Sequence, residues 1–99
     1  MTIELKNVKY KKVGVAPGFK HPEVELKEFK MAGRNIRVLD LIKYEANDNV
    51  NLGTYGLIDS TGQMYFALIN IQPDHKKNWR FFLLGIEFAI DDSSYNGFA

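Results

Sequence analysis

The chain has 99 residues, 45% hydrophobic and 25% charged. That composition fits one folded domain and excludes disorder across its body. It contains no cysteine, which excludes disulfides, zinc–thiolate sites and thiol nucleophiles. Thirteen basic and twelve acidic residues leave a net charge of +1, low for a dedicated nucleic-acid-binding domain.

The charge is unevenly placed. Residues 1–21 carry Lys6, Lys9, Lys11, Lys12 and Lys20 against Glu4, a local charge of +4, whereas residues 87–99 carry Glu87, Asp91 and Asp92 and no base. The opening residues have no basic start followed by an apolar run, so they do not read as a signal peptide. The longest apolar stretch, Phe81–Ile90, is interrupted by Glu87 and is half of the ~20 residues that a membrane helix needs. The expectation is a cytoplasmic protein without a membrane partner, placed in the host cytoplasm if viral.

The N-terminal segment alternates as Ile3 and Leu5, then Val8 and Tyr10, then Val13 and Val15. Its parity switches twice, which a bulge or bend at Asn7 and at Lys12 would produce. Pro17-Gly18 breaks the chain. Val24 and Leu26 mark a short strand, expected at a sheet edge. Residues 35–46, NIRVLDLIKYEA, fit two patterns. A strand places Ile36, Val38, Ile42 and Tyr44 on one face and points Asp40 inward. A helix groups Val38, Leu41, Ile42 and Glu45. The β-branched and aromatic content favours the strand.

Residues 46–53, ANDNVNLG, read as a polar loop. Tyr55, Leu57 and Asp59, the turn Ser60-Thr61-Gly62, and then Met64, Phe66 and Leu68 read as a hairpin. In it Asp59 serves as a side-chain acceptor and Gly62 takes positive φ. The second arm is apolar on both faces and is expected inside the sheet. Residues 73–78 read as a loop or a single helical turn. In the last strand Phe82, Leu84, Ile86, Phe88 and Ile90 form the expected core face. Residues 91–99 read as a short, flexible, acidic tail.

These elements predict a single all-β domain over residues 1–99. It would be a five- to six-stranded antiparallel barrel or a sandwich, with room for one short helix at 35–46 or 73–78. From Ile36 to Ile71, about a third of the chain, a long strand, a polar loop and an Asp-x-x-Gly hairpin resemble the first three strands of an OB-fold barrel. That resemblance implies an OB-like barrel.

Catalytic patterns are weak. His21 and His75 both lie in loop sequence, the serines lie in turn or tail sequence, and no G-x-S-x-G occurs. Asn47, Asn49 and Asn51 mimic a calcium loop, but Leu52 stands where glycine is required and Ile58 where glutamate is. Phosphate-binding glycine motifs are absent. The sequence therefore predicts a non-enzymatic binding module without cofactor or metal.

Two partner classes follow. Lysines that track phosphates and aromatics on which bases stack make a single-strand DNA or RNA site. Lys9, Lys11, Lys12, Phe19, Lys20, Lys76, Lys77, Trp79 and Arg80 supply both chemistries if the fold brings 9–20 beside 76–80. The tail residues Asp91, Asp92, Tyr95 and Phe98 resemble the acidic, aromatic-ended tails by which single-strand binding proteins recruit partners, with fewer acids and a final Ala99. The alternative is a protein–protein module, of the viral accessory, inhibitor or assembly type. It would use exposed aromatics among Tyr44, Tyr55, Tyr65 and Trp79 and an open strand edge at 23–29. Edge strands also make a homodimer possible.

Overall fold

The computed structural model describes residues 2–14, 22–47, 51–73 and 78–88. They form seven antiparallel strands: β1 (Ile3–Glu4), β2 (Lys6–Lys12), β3 (Val24–Met31), β4 (Arg34–Ala46), β5 (Asn51–Asp59), β6 (Met64–Pro73) and β7 (Trp79–Phe88). All belong to one sheet, in the order β1-β7-β6-β5-β4-β3-β2. The two ends of that order are consecutive in the chain, separated only by Leu5. The sheet therefore curls into a half-barrel whose two outer edges are bridged by the N-terminal segment. Seven strands form where five to six were expected, because the N-terminal segment is broken at Leu5 into β1 and β2. A two-sheet sandwich does not form. From β3 to β7 every neighbour in the sheet is the next strand in sequence, an up-and-down order, where an OB barrel is a Greek key.

The core lies on the inner face. Tyr55 and Leu57 of β5 and Tyr65, Ala67, Ile69 and Ile71 of β6 point into it at every second residue. Leu5, Val24, Leu26, Phe29, Ile36, Phe81 and Leu83 complete it. Asn7 takes φ 50°, and the β2–β3 register shifts between Lys6 and Lys9, so the expected bend at Asn7 is present. The second irregularity falls between Lys9 and Tyr10 rather than at Lys12.

Three expectations are corrected by one device, the β-bulge, in which one extra residue reverses the facing of all that follow. Residues 35–46 are strand throughout, with no helix, but β4 skips a partner at Leu39 and again at Ile42. Its inward positions become Ile36, Val38, Leu41 and Tyr44, and the spacing of three from Val38 onward imitates a helical face. Asp40 pairs with Gly56 between the inward Val38 and Leu41, and it is exposed, not buried. In β7 the register against β6 skips Leu84. Phe81 and Leu83, not Phe82 and Leu84, therefore enter the core, and the inward parity changes only beyond them. A helical turn at 73–78 is not formed at Pro73, which ends β6 as a strand, and residues 74–77 lie outside the described residues.

Two tight turns anchor one end of the sheet. The β5–β6 turn is held by the buried carboxylate of Asp59. Its Oδ1 accepts from the Thr61 amide (2.9 Å), the Thr61 hydroxyl (2.6 Å) and the Gln63 amide (3.0 Å). Its Oδ2 accepts from the Tyr65 hydroxyl (2.7 Å) and from Arg34 Nη1 (3.2 Å). Gly62 takes φ 91° as expected. These donors, led by the Thr61 and Tyr65 hydroxyls, hold the Asp59 carboxyl far below its usual value, and the same bond pushes the Tyr65 phenol up. The β3–β4 turn is Ala32-Gly33, both at positive φ (51° and 76°), as a two-residue hairpin of the primed kind requires.

Two outcomes are expected. Because the Asp59 pKa is depressed on folding, the stability it contributes is present above its unfolded value near 3.8 and is lost as pH falls below that value. Acid unfolding followed by circular dichroism should show this loss, and Asp59→Asn should lower the melting temperature at pH 7 while flattening its fall below pH 4. Ala32→Asn relieves a left-handed alanine and should raise stability by about 0.5–1 kcal/mol in urea unfolding. An unchanged or lower midpoint would contradict the turn geometry.

Candidate functional site: a cleft between two strands

β3 pairs with β2 from Val24 to Lys30, but it pairs with β4 only from Glu28 to Met31. β4 stays with β5 all the way to Ala46. Beyond Glu28 and Arg37 the two strands diverge, and the two bulges at Leu39 and Ile42 fall in the diverging part of β4. A bulge bends and twists its strand, so β4 turns away with β5 while β3 remains with β2.

The gap is a cleft of about 470 Å³, within the usual range of roughly 300–1,000 Å³ for binding sites. Val24, Leu26, Val38, Leu41 and Tyr55 supply its apolar lining, with Val13 and Pro22 at the end where the strands are furthest from the Asp59 turn. Glu25, Lys27 and Asp40 supply its polar lining, and all three are exposed. Lys27 Nζ lies 2.6 Å from Glu25 Oε1, and this bond, with Lys11 further off, draws the Glu25 carboxyl below its usual value. Along Val24–Lys27 of β3 and Val38–Leu41 of β4, the edges that face each other have no strand partner among the described residues. The site thus offers two open strand edges, an apolar floor and a charged rim.

Tyr55 is the least ordinary group of the lining. It is 2% exposed, and its hydroxyl has no hydrogen-bond partner. Burial pushes its phenol far up. The ring folds back over Gly53, where an added Cβ would stand 2.5 Å from Tyr55 Cε2. Glycine at 53 is therefore required by close approach rather than by a turn. Nearby Tyr44 donates to Asn51 Oδ1, and burial raises its phenol too.

The residues singled out from the sequence fall into three groups. Lys9, Lys11 and Lys12 are exposed on β2. Lys9 is bound to Glu28 at 2.8 Å, which raises its pKa, and Lys11 stands across from Glu25. Arg80 lies on β7, where Nε and Nη2 donate to the two carboxylate oxygens of Glu4 at 3.0 and 2.9 Å. That pair pulls the Glu4 carboxyl down, and the guanidinium also sits 5.0 Å from the Phe82 ring centre. The fold does bring β2 beside the start of β7, since the Tyr10 and Phe81 rings lie 5.3 Å apart. Their contact faces the core, and Trp79 also packs against the core. Phe19, Lys20, Lys76, Lys77, Asp91, Asp92, Tyr95 and Phe98 lie outside the described residues, as do His21 and His75. Among the described residues no group of three or more acidic side chains is placed to hold a metal ion, and no helix is long and apolar enough to cross a membrane.

The strand expected at a sheet edge, 23–29, is corrected: β3 lies between β2 and β4, and only along Val24–Lys27 does its side towards β4 lack a strand partner among the described residues. The cleft itself was not foreseen. Its signal was the three-residue spacing of Val38, Leu41 and Tyr44, which marks a bulged strand when the residue types favour β. No family model matches the chain, and neither a curated protein nor a solved structure matches it.

Removing the Tyr55 hydroxyl should leave the ring packed and relieve an unsatisfied buried donor. Tyr55→Phe is expected to raise stability by about 1 kcal/mol in urea unfolding. A loss of that size instead would mean that the hydroxyl has a partner in solution.

Proposed function

We propose that the chain is a non-enzymatic binding module that takes an extended segment of a partner protein into the cleft as an added strand. The observation that carries this reading is the divergence of β3 from β4 beyond Glu28 and Arg37, which leaves two strand edges facing a common apolar floor. Strand addition uses such an edge for main-chain hydrogen bonds and the floor for alternate side chains. The open part of β3 is four residues long, so the partner contributes about four residues, or ~13 Å of strand. The paired cations, Lys27 on the rim and Lys9 and Arg80 elsewhere on the sheet, favour a protein over a polyanion. Lys9, Lys27 and Arg80 each hold a carboxylate within 3 Å, and a phosphate would have to displace it.

The test uses random twelve-residue peptides displayed on phage and panned against the intact chain. Enriched peptides should carry apolar residues at alternate positions. On adding a synthetic copy, the amides of 24–27 and 38–41 should shift in nitrogen–proton spectra, and those among them that point into the cleft should become slow to exchange. Failure to enrich any sequence, or protection confined to other strands, would overturn the reading.

A second reading, sequence-independent binding of single-stranded nucleic acid, is supported by Lys6, Lys12 and Lys30. These exposed cations form no ion pair among the described residues, and Lys6 stands directly across from Lys30. If they are the contacts, fluorescein-labelled poly-dT should bind roughly 40-fold more weakly at 300 mM than at 50 mM salt, as three neutralised phosphates imply. Salt-independent or undetectable binding at micromolar strand would remove this reading.

A further inference from the structure

A second stretch of the sheet lacks a neighbour. β7 pairs with β6 along its whole length, but on its other side β1 reaches only Phe82 and Leu83. The last backbone bond on that side beyond the ladder is the Leu5 amide to the Phe81 carbonyl. From Leu84 to Phe88, the outer edge of β7 has no strand partner among the described residues. The same five residues hold three exposed large apolar side chains, Leu84 (39%), Ile86 (37%) and Phe88 (70%), with Gly85 and Glu87 between them. An apolar open edge is a template for another strand, and its single charge and its bulge at Leu84 are weak guards.

The stretch is complementary to itself in one register. In a two-fold antiparallel pair, residue i of one copy faces j of the other and j faces i. With the axis at Ile86, Ile86 meets Ile86, Leu84 meets Phe88, and Glu87 meets Gly85. Glu87, the only charge, thus faces a residue with no side chain. Nothing lies within 4 Å of where a Gly85 Cβ would be, so the carboxylate has open space. Neighbouring registers are worse. An axis at residue 87 sets Glu87 against Glu87, and like charges directly opposite repel. An axis half a step to either side sets Glu87 against Ile86 or Leu84. An axis at Gly85 needs Leu83, whose edge is already taken by Ile3.

We propose that two copies of the chain associate by antiparallel pairing of Leu84–Phe88 about a two-fold axis at Ile86, continuing one sheet into the other. This surface is separate from the β3–β4 cleft, and its test does not depend on what the cleft binds.

The chain has no cysteine, so Ile86→Cys introduces a single thiol at the axis. Facing Cβ atoms of an antiparallel pair are about 4.5–5.5 Å apart, within reach of a disulfide or a short bis-maleimide. Ile86→Cys should cross-link at least about tenfold faster than Lys43→Cys, an exposed position on β4. The unaltered chain should show a mass that rises with concentration towards twice 11.4 kDa in light scattering. Ile86→Lys should keep the circular dichroism spectrum and the melting temperature while holding the mass at the monomer value. A mass of one chain at every concentration would overturn the proposal. So would equal cross-linking at 86 and 43, a dimer that survives Ile86→Lys, or, in a monomer, slow exchange of those 84–88 amides that point away from β6, which would give the edge to another part of the same chain.

Discussion

One segment of ten residues serves both edges of the sheet, and the rest of the structure depends on that constraint. β1 pairs with β7, β2 pairs with β3, and Leu5 between them is buried and donates its amide to the Phe81 carbonyl at 2.9 Å. An isolated sheet of this size would leave its apolar inner face to water. Bridging the edges forces it to curl, so that Tyr10 of β2 meets Phe81 of β7 and the inner faces of all the strands share one core. The positive φ of Asn7 is the local strain of that turn from one edge to the other. Asparagine tolerates it better than most residues.

The same constraint explains where the molecule stays open. A short segment divided between two edges covers one of them only in part. β1 is two residues long and leaves the second half of β7 bare. On the other side, β3 follows β2 while β4 follows β5, and the sheet parts between them. At one end the parting is pinned shut. The Ala32-Gly33 turn joins β3 to β4, and Arg34 reaches the Asp59 carboxylate that organises the β5–β6 turn. The cleft widens away from this fixed end, as two strands diverge from a common pin.

What could be read from the sequence was what local chemistry decides. The Asp59–Gly62 turn needs a short side-chain acceptor and a residue free to take positive φ, and both are present and act as expected. The inward facing of Tyr10, away from Lys9 and Lys11, follows from alternation alone. The β3–β4 turn was hidden because alanine fills a left-handed position usually held by asparagine, aspartate or glycine. The bulges at Leu39, Ile42 and Leu84 were hidden because a bulge is marked by a change in spacing, which a helical face shares, and not by a residue type of its own. They turned a strand into an apparent helix face and put the wrong half of β7 in the core. The pairing of Lys9 and of Arg80 was hidden for another reason. Glu4 meets Arg80 across 76 positions and Lys9 meets Glu28 across the β2–β3 ladder, so the partners of these charges are set by strand order, which the sequence does not state.

The cleft also constrains what would make a partner bind well. Its rim residues Glu25, Lys27 and Asp40 are exposed, so water can satisfy the neighbouring open amides and carbonyls. An incoming strand exchanges those water bonds for strand bonds, and such an exchange contributes little net free energy per bond. The main-chain bonds therefore fix direction and register more than they fix affinity. Affinity must come from apolar area removed from water against the half-buried Val38 and Leu41, since Val24 and Leu26 are already out of water, at about 25 cal/mol per Å². Only alternate residues of an extended partner reach that floor. Selectivity then rests on about two side chains of the inserted strand. The intervening residues meet the Glu25–Lys27 pair and Asp40, where exposed charges contribute at most modestly.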